Sequence, residues 1–217
     1  MQRVIAYIDG FNLYFGLRAA GFRRFYWLDI CELVRLRLKP GQQLEGVKYF
    51  TARIRGPKAT DLQAGAPDAL RREQKRRRQS TYLEALATLP GLAIFEGHYL
   101  EKPVRCFQCG WTWEKPEEKG TDVSIATEML VDASDDKLDL AILVSADSDL
   151  AAPVMAVNQH FGKPVVIAFP PERNSAKLKR LAKGHFKISR STLAAAQLPD
   201  PVVKPGGTEL HRPGNWR

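Results

Sequence analysis

Cysteine is scarce, three residues in 217. An odd and small number in a chain of this length does not build a secreted disulfide framework, so a reducing compartment is expected. Long apolar runs are missing as well. No stretch approaches the roughly 18 uninterrupted apolar residues of a spanning helix. The opening MQRVIAYIDGFN also lacks a signal peptide's order of charged, apolar and small residues. The expectation is therefore a cytoplasmic protein with no membrane partner. No internal repeat occurs, and no second CxxC accompanies Cys106 and Cys109. Acid is the minority charge, 24 Asp and Glu against 33 Lys and Arg, for a formal net charge of +9. Such an excess suits a polyanion such as nucleic acid, without separating RNA from DNA.

With 44% hydrophobic residues the chain can bury a substantial core, and one large domain is expected rather than two small ones. Apolar β-rich runs at 3–9, 47–54, 92–100, 139–145 and 164–169 alternate with helical stretches at 12–20, 29–38, 68–88, 122–133, 149–161 and 175–184. That alternation is the mark of βαβ units, hence an α/β fold with a central, mostly parallel sheet flanked by helices. Ser175 and Gly184 read as start and stop signals of the last helix. The run GPKATDLQAG at 56–65 reads as a loop. The domain is expected to span 1–195, with a CxxC insertion at about 101–118, and the Pro- and Gly-rich segment 196–217 to form a flexible tail.

Acids collect where a parallel sheet binds its ligands, at the carboxyl ends of strands. Asp9 ends the first strand, followed by Gly10 for a tight turn and Asn12 at a helix start. In VSADSDL, Asp147 and Asp149 end the fourth in the same way, and in EKGTDVSIATEML Asp122 stands at the mouth of a helix, with Glu128 and Asp132 further along. If the first and fourth strands are neighbours, these carboxylates meet. Carboxylates so close stay ionised together only with a cation between them, and Mg²⁺ or Mn²⁺ is the natural one for oxygen ligands. The plainer reading makes Ser148, Asp149 and Asp122 helix caps, and leaves Asp132, Asp135, Asp136 and Asp139 on a solvated turn.

YIDGFNLYFGL, EKGTDVSIATEML and LAILVSADSDLAAPV together resemble, in order, the motifs of the NYN-domain family, PIN-like nucleases that include the LabA-like, DUF88 group. The likeness runs from about 3 to 190. It implies a PIN-like three-layer fold and a metal-dependent endoribonuclease with an acidic Mg²⁺ or Mn²⁺ pocket. By position the metal ligands would be Asp9, Asp122 and Asp147, with Asn12 and Asp149 as supporting catalytic residues and Glu128 as an outer ligand. The family's usual S-G-D-S-D-F is here Ser145-Ala146-Asp147-Ser148-Asp149-Leu150, a change in turn and packing that keeps the acids.

An acidic pocket repels RNA unless cations flank it. On a helix Arg71, Lys75 and Arg78 share a face, with Arg72 and Arg76 beside it, and a second stretch adds Lys177, Lys179 and Arg180. The bland alternative is a solvated helix face. Phe11, Tyr14 and Tyr82 could stack on bases of single-stranded or structured RNA, or fill the core. Cys106 and Cys109 make half a Zn²⁺ site. Cys31 and His98 stand nearest in sequence to complete it, and a zinc knuckle, a hairpin with two reduced thiols and a site shared by two subunits of a homo-oligomer all fit. The alternative function is a nucleic-acid-binding regulatory module whose pocket binds metal but turns over little. The start DGFN is faintly similar to that of haloacid dehalogenases, whose pattern needs Asp where Phe11 stands.

Overall fold

β1 (Gln2–Asp9) lies at the centre of the sheet, and every residue from Val4 to Asp9 is buried. It pairs in parallel with β2 (Gln42–Ala52) on one side and β5 (Leu140–Val144) on the other. β5, LAILV, is buried at all five positions, as a strand covered by helices on both faces must be. The sheet continues through β3 (Leu92–Arg105), β4 (Thr112–Lys119), β6 (Val165–Phe169) and β7 (Gly184–Lys187) in the order β4-β3-β2-β1-β5-β6-β7, with only β4 antiparallel. The computed structural model describes residues 1–216. Arg217 and the side chains at 100–102 and 113–118, which include part of the expected insertion, lie outside the described residues.

Helices cover both faces, giving the three-layer α/β architecture. On one face Leu13 and Leu17 of α1 (Gly10–Ala19), Leu33 and Val34 of α2 (Ile30–Arg35), Leu83 and Leu86 of α4 (Pro67–Leu86) and Leu193 of α8 (Arg190–Ala195) pack on the even-numbered residues of β1. On the other, Ile125 and Met129 of α5 (Thr121–Ser134), Val154 and Val157 of α6 (Ala151–Gln159) and Leu178 of α7 (Ala176–Leu181) meet Ile5 and Tyr7. Among the described residues no helix is long and apolar enough to cross a membrane.

Several expectations are corrected. The 56–65 loop holds a short helix, α3 (Ala59–Gln63). Gly184 opens β7 and stops no helix, α7 having ended at Leu181. β2 spans Gln42–Ala52 where 47–54 was expected. β4 and β7 were not expected because TWEKPEEK is charged rather than alternating, and GHFK is a four-residue edge strand buried on neither face. The unstructured tail is corrected as far as Trp216. β8 (Val202–Val203) and β9 (Glu209–Leu210) form a hairpin. The Trp27 indole donates to Pro199 O at 2.8 Å, and Trp216 is buried against Tyr26, Trp27 and Tyr82. Three well-placed apolar residues, Leu198, Val202 and Trp216, suffice to anchor a segment poor in periodicity.

Candidate functional site

Connections from β1 lead through α1 and α2 to β2 on one side, and those from β5 lead through α6 to β6 on the other. The strand order therefore reverses between β1 and β5, the place where open α/β sheets bind ligands. The register sets Ile8 beside Val144, so Asp9 emerges next to Ser145.

One serine joins the two acids. The Ser145 hydroxyl, fully buried, donates to Asp9 Oδ2 at 2.8 Å and accepts from Asp147 N at 3.0 Å. Asp9 Oδ1 accepts from Asn12 N at 2.9 Å, capping α1, and Asn12 Oδ1 accepts from Ala146 N at 3.3 Å, tying the two loops together. Asp9 is buried, and burial pushes its pKa up. The hydrogen bonds from Asn12 and Ser145 oppose this, and the nearby Asp147 carboxylate adds to it. Asp147 is half-buried and caps the following turn by accepting from Asp149 N at 3.0 Å. The caps expected at Ser148 or Asp149 and at Asp122 thus fall instead to Asp147 and to the left-handed Gly120. Asp149 and Ser148 are exposed on the turn.

Gly10 serves a close approach rather than a tight turn. It is the first residue of α1, and a Cβ there would lie 2.7 Å from Phe50 O and 2.7 Å from the Tyr49 ring and hydroxyl. Gly10→Ala is expected to destabilise the protein by about 1–3 kcal/mol in urea unfolding, because a backbone oxygen cannot yield.

Asp122 stands in the first turn of α5, half-buried. β4 returns to the carboxyl edge, with Lys119 opposite His98 just past the Ala52–Gly97 pair, so the α5 N-terminus opens onto the rim of Asp9 and Asp147. Among the described residues, no three His, Cys, Asp or Glu side chains converge into a closed metal cage. The structure joins Asp9, Asn12, Ser145 and Asp147, and sets Asp122 and Asp149 at the border.

Glu128 and Asp132 are claimed by a different partner. Lys48 Nζ, in the middle of β2, donates to Glu128 Oε2 at 2.6 Å and to Asp132 Oδ2 at 2.5 Å, and the Tyr7 hydroxyl donates to Asp132 at 2.8 Å. Asp132 is almost wholly buried, which corrects the solvated-turn reading, and Glu128 is an ion-pair partner rather than an outer metal ligand. Burial and the Asp132 bond push the Tyr7 pKa far up. Lys48 escaped notice within an apolar strand. A lysine in a buried strand needs carboxylates facing it, and Glu128 and Asp132, one turn apart on α5, were the available signal.

Two arms rise past this edge. Gln79 of α4 donates to Ala52 O at 2.9 Å and accepts from Ile54 N at 2.7 Å, which levels it with the end of β2. The helix before it, 67–78, extends about 18 Å further at 1.5 Å per residue. There Arg71 is exposed, and Lys75 lies near Arg78 and Arg18. Burial lowers the Lys75 pKa, and the two guanidiniums lower it further. Arg18, from α1, was not singled out in the sequence. Arg76 is held by Glu73 at 2.7 Å and Arg72 donates to Arg55 O at 3.1 Å, so both are less available than expected. The second arm is the β3–β4 hairpin, about 26 Å of strand from His98 to Arg105 at 3.3 Å per residue. Phe11 meets Tyr99 at its root, with ring centroids 6.1 Å apart. Tyr82 belongs to the core, where its hydroxyl donates to Leu28 O, and Tyr14 packs on Phe15 and Tyr26. Across the switch point, α7 packs beside the 148–150 turn and exposes Lys177, Lys179 and Arg180.

At the hairpin tip, backbone N–H groups of Cys109 and Gln108 donate to the Cys106 sulfur and hold its pKa below the usual thiol value. Cys31 is buried in the core, and burial pushes its thiol up to about 11.

The NYN domain family matches residues 3–189. A Pseudomonas putida protein named 6-hydroxy-3-succinoylpyridine 3-monooxygenase is 27% identical over 252 aligned positions, covering 99% of this chain and 75% of its own. A solved structure of a protein of unknown function from Vibrio parahaemolyticus shares the fold, with a TM-score of 0.53 and 18% identity over 87% of this chain and 94% of that one.

Proposed function

The chain belongs to the NYN-domain family, a nuclease-like fold, and on that premise we propose that it is a metal-dependent endoribonuclease. The observation that carries the reading is the Asp9–Ser145–Asp147 linkage at the switch point, two carboxylates drawn together in a chain of net charge +9.

The donor set fits Mg²⁺ or Mn²⁺. Mg²⁺ keeps several waters and is held by one or two carboxylates plus substrate phosphate, so it needs no closed cage. Asp9 and Asp147 would hold it, with Asp122 reached from α5 through water. When bound, such an ion supplies charge neutralisation for the phosphodiester and a more acidic water. The chain's own residues do the rest. Ser145 and Asn12 lock the two carboxylates and the 146 loop in place. Phe11 and Tyr99 offer apolar surface beside the rim for an unstacked base. Cations on α4 and α7 hold the strand on either side. Attack by water leaves a 5′-phosphate and a 3′-hydroxyl.

Removing Arg71, Lys75 or Arg78 singly by alanine is expected to flatten the slope of log K against log salt for single-stranded RNA by about 0.7 each. Arg76→Ala is expected to change it less, since Glu73 already neutralises that guanidinium.

The test is cleavage of labelled single-stranded RNA and DNA of matched sequence with Mg²⁺, Mn²⁺ or EDTA. Metal-dependent cutting that favours RNA supports the proposal. Binding of RNA without cutting selects the regulatory-module reading, which is favoured by the fact that only two carboxylates converge among the described residues. The Pseudomonas relative's name supplies a third arm. Consumption of 6-hydroxy-3-succinoylpyridine with dioxygen and a reduced nicotinamide, without cleavage, would replace both.

A further inference from the structure

The hairpin tip, seven residues and about 23 Å of strand beyond His98, has no part in the proposed cleavage. Gly110 N donates to Cys106 O at 2.9 Å and Cys106 N donates to Trp111 O at 2.7 Å, closing a tight loop. Gly110 takes a φ of +70°, which favours glycine there. Within the loop the Cys106 sulfur faces the N–H groups of Gln108 and Cys109, and the Cys109 thiol lies within hydrogen-bonding reach of it. Two sulfurs turned together, with backbone N–H donors aimed at one of them, form half of a tetrahedral zinc site.

The other half is not in this chain. Among the described residues no third His, Cys, Asp or Glu joins the pair. Cys31 is locked in the core, and His98 sits at the far end of the arm. Structural zinc takes four ligands, so two must come from outside. Phe107 and Trp111 flank the thiols with their rings 104% and 65% exposed, apolar surface placed at the end of a long arm where no core can cover it. The Arg105 guanidinium reaches to 3.4 Å from where a Cβ on Gly110 would be. One such cation from each chain offsets the net negative charge of a zinc ion with four thiolates.

We propose that two copies of this chain join tip to tip through one zinc ion held by Cys106 and Cys109 of each, with Phe107 and Trp111 packed around it. The two acidic pockets then lie at opposite ends of the paired arms, open to long substrates, and the assembly stands whether or not the pocket cuts RNA.

The test uses the full chain, reduced and stripped with EDTA, then titrated with Zn²⁺ under sedimentation velocity and metal analysis, with Co²⁺ as a spectroscopic probe. Conversion of monomer to dimer at one metal per two chains is expected, with the intense visible bands of tetrahedral thiolate cobalt. Cys106→Ser/Cys109→Ser should stay monomeric and take up no zinc while keeping its thermal midpoint, because the tip is remote from the core. Phe107→Ser should keep the metal and weaken the dimer at least about fivefold, the effect of an interface residue worth about 1 kcal/mol. No zinc uptake, one zinc per monomeric chain, or a dimer that survives the double serine variant would each overturn the proposal.

Discussion

Asp9→Asn is expected to lower metal-dependent RNA cleavage at least about a thousandfold, about 4 kcal/mol of transition-state stabilisation, while making the metal-free protein more stable. Both effects follow from burial. Asp9 is 3% exposed, its folded pKa is raised first by desolvation, and Asp147 adds repulsion. An acid whose folded pKa exceeds its unfolded value weakens the fold wherever it is ionised. Metal-free wild type should therefore gain stability as pH falls through the raised pKa, levelling off below the unfolded value. Asparagine removes that charge, can still accept from Asn12 N, and should flatten this part of the pH profile.

Mn²⁺ at about a hundred times its Kd should stabilise wild type by about 2.7 kcal/mol, and Asp9→Asn by much less. Asp147→Asn should lose cleavage equally but gain little metal-free stability, being only half-buried. Thermal unfolding with Mn²⁺ or EDTA, beside the cleavage assay, distinguishes the cases. Equal stabilisation of wild type and Asp9→Asn by Mn²⁺ would remove Asp9 from the metal site.

Lys48→Met should cost about 3–5 kcal/mol, the usual consequence of leaving a buried charge without its partner. Asp132 is 1% exposed, and Lys48 Nζ is 2.5 Å from its carboxylate. The Tyr7 hydroxyl would remain as donor but carries no charge. In a domain with about 5–15 kcal/mol of total stability, this is a large fraction. Lys48→Met with Asp132→Leu should recover much of the loss, since apolar replacement of a whole buried pair is often neutral or better, and the double-mutant cycle gives the coupling directly. A loss below about 1 kcal/mol for Lys48→Met would mean that the Asp132 carboxylate finds water or a proton once Lys48 is gone.

The acids at strand ends were legible because chemistry and topology coincide there. Asp9 and Asp147 each follow a run of buried apolar residues, and a parallel α/β sheet sends such ends to one edge. The basic run on α4 was legible as charge. Its division into available and occupied cations was not, because Glu73 takes Arg76 and Arg77 through side-chain geometry. The tail misled because Pro and Gly suppress periodicity, and what holds it is one indole meeting three rings contributed by distant segments.

By itself the sequence determined the layered α/β architecture, the family and the identity of the acids, since alternation of apolar runs and strand-end motifs are local patterns that survive without coordinates. Only the tertiary structure decided that Ser145 couples Asp9 to Asp147, that Lys48 withdraws Glu128 and Asp132 from the pocket, and that two arms rise beside the rim. Those facts depend on which strands neighbour one another and at what register, and pairing across more than 100 residues leaves no periodic trace in the chain.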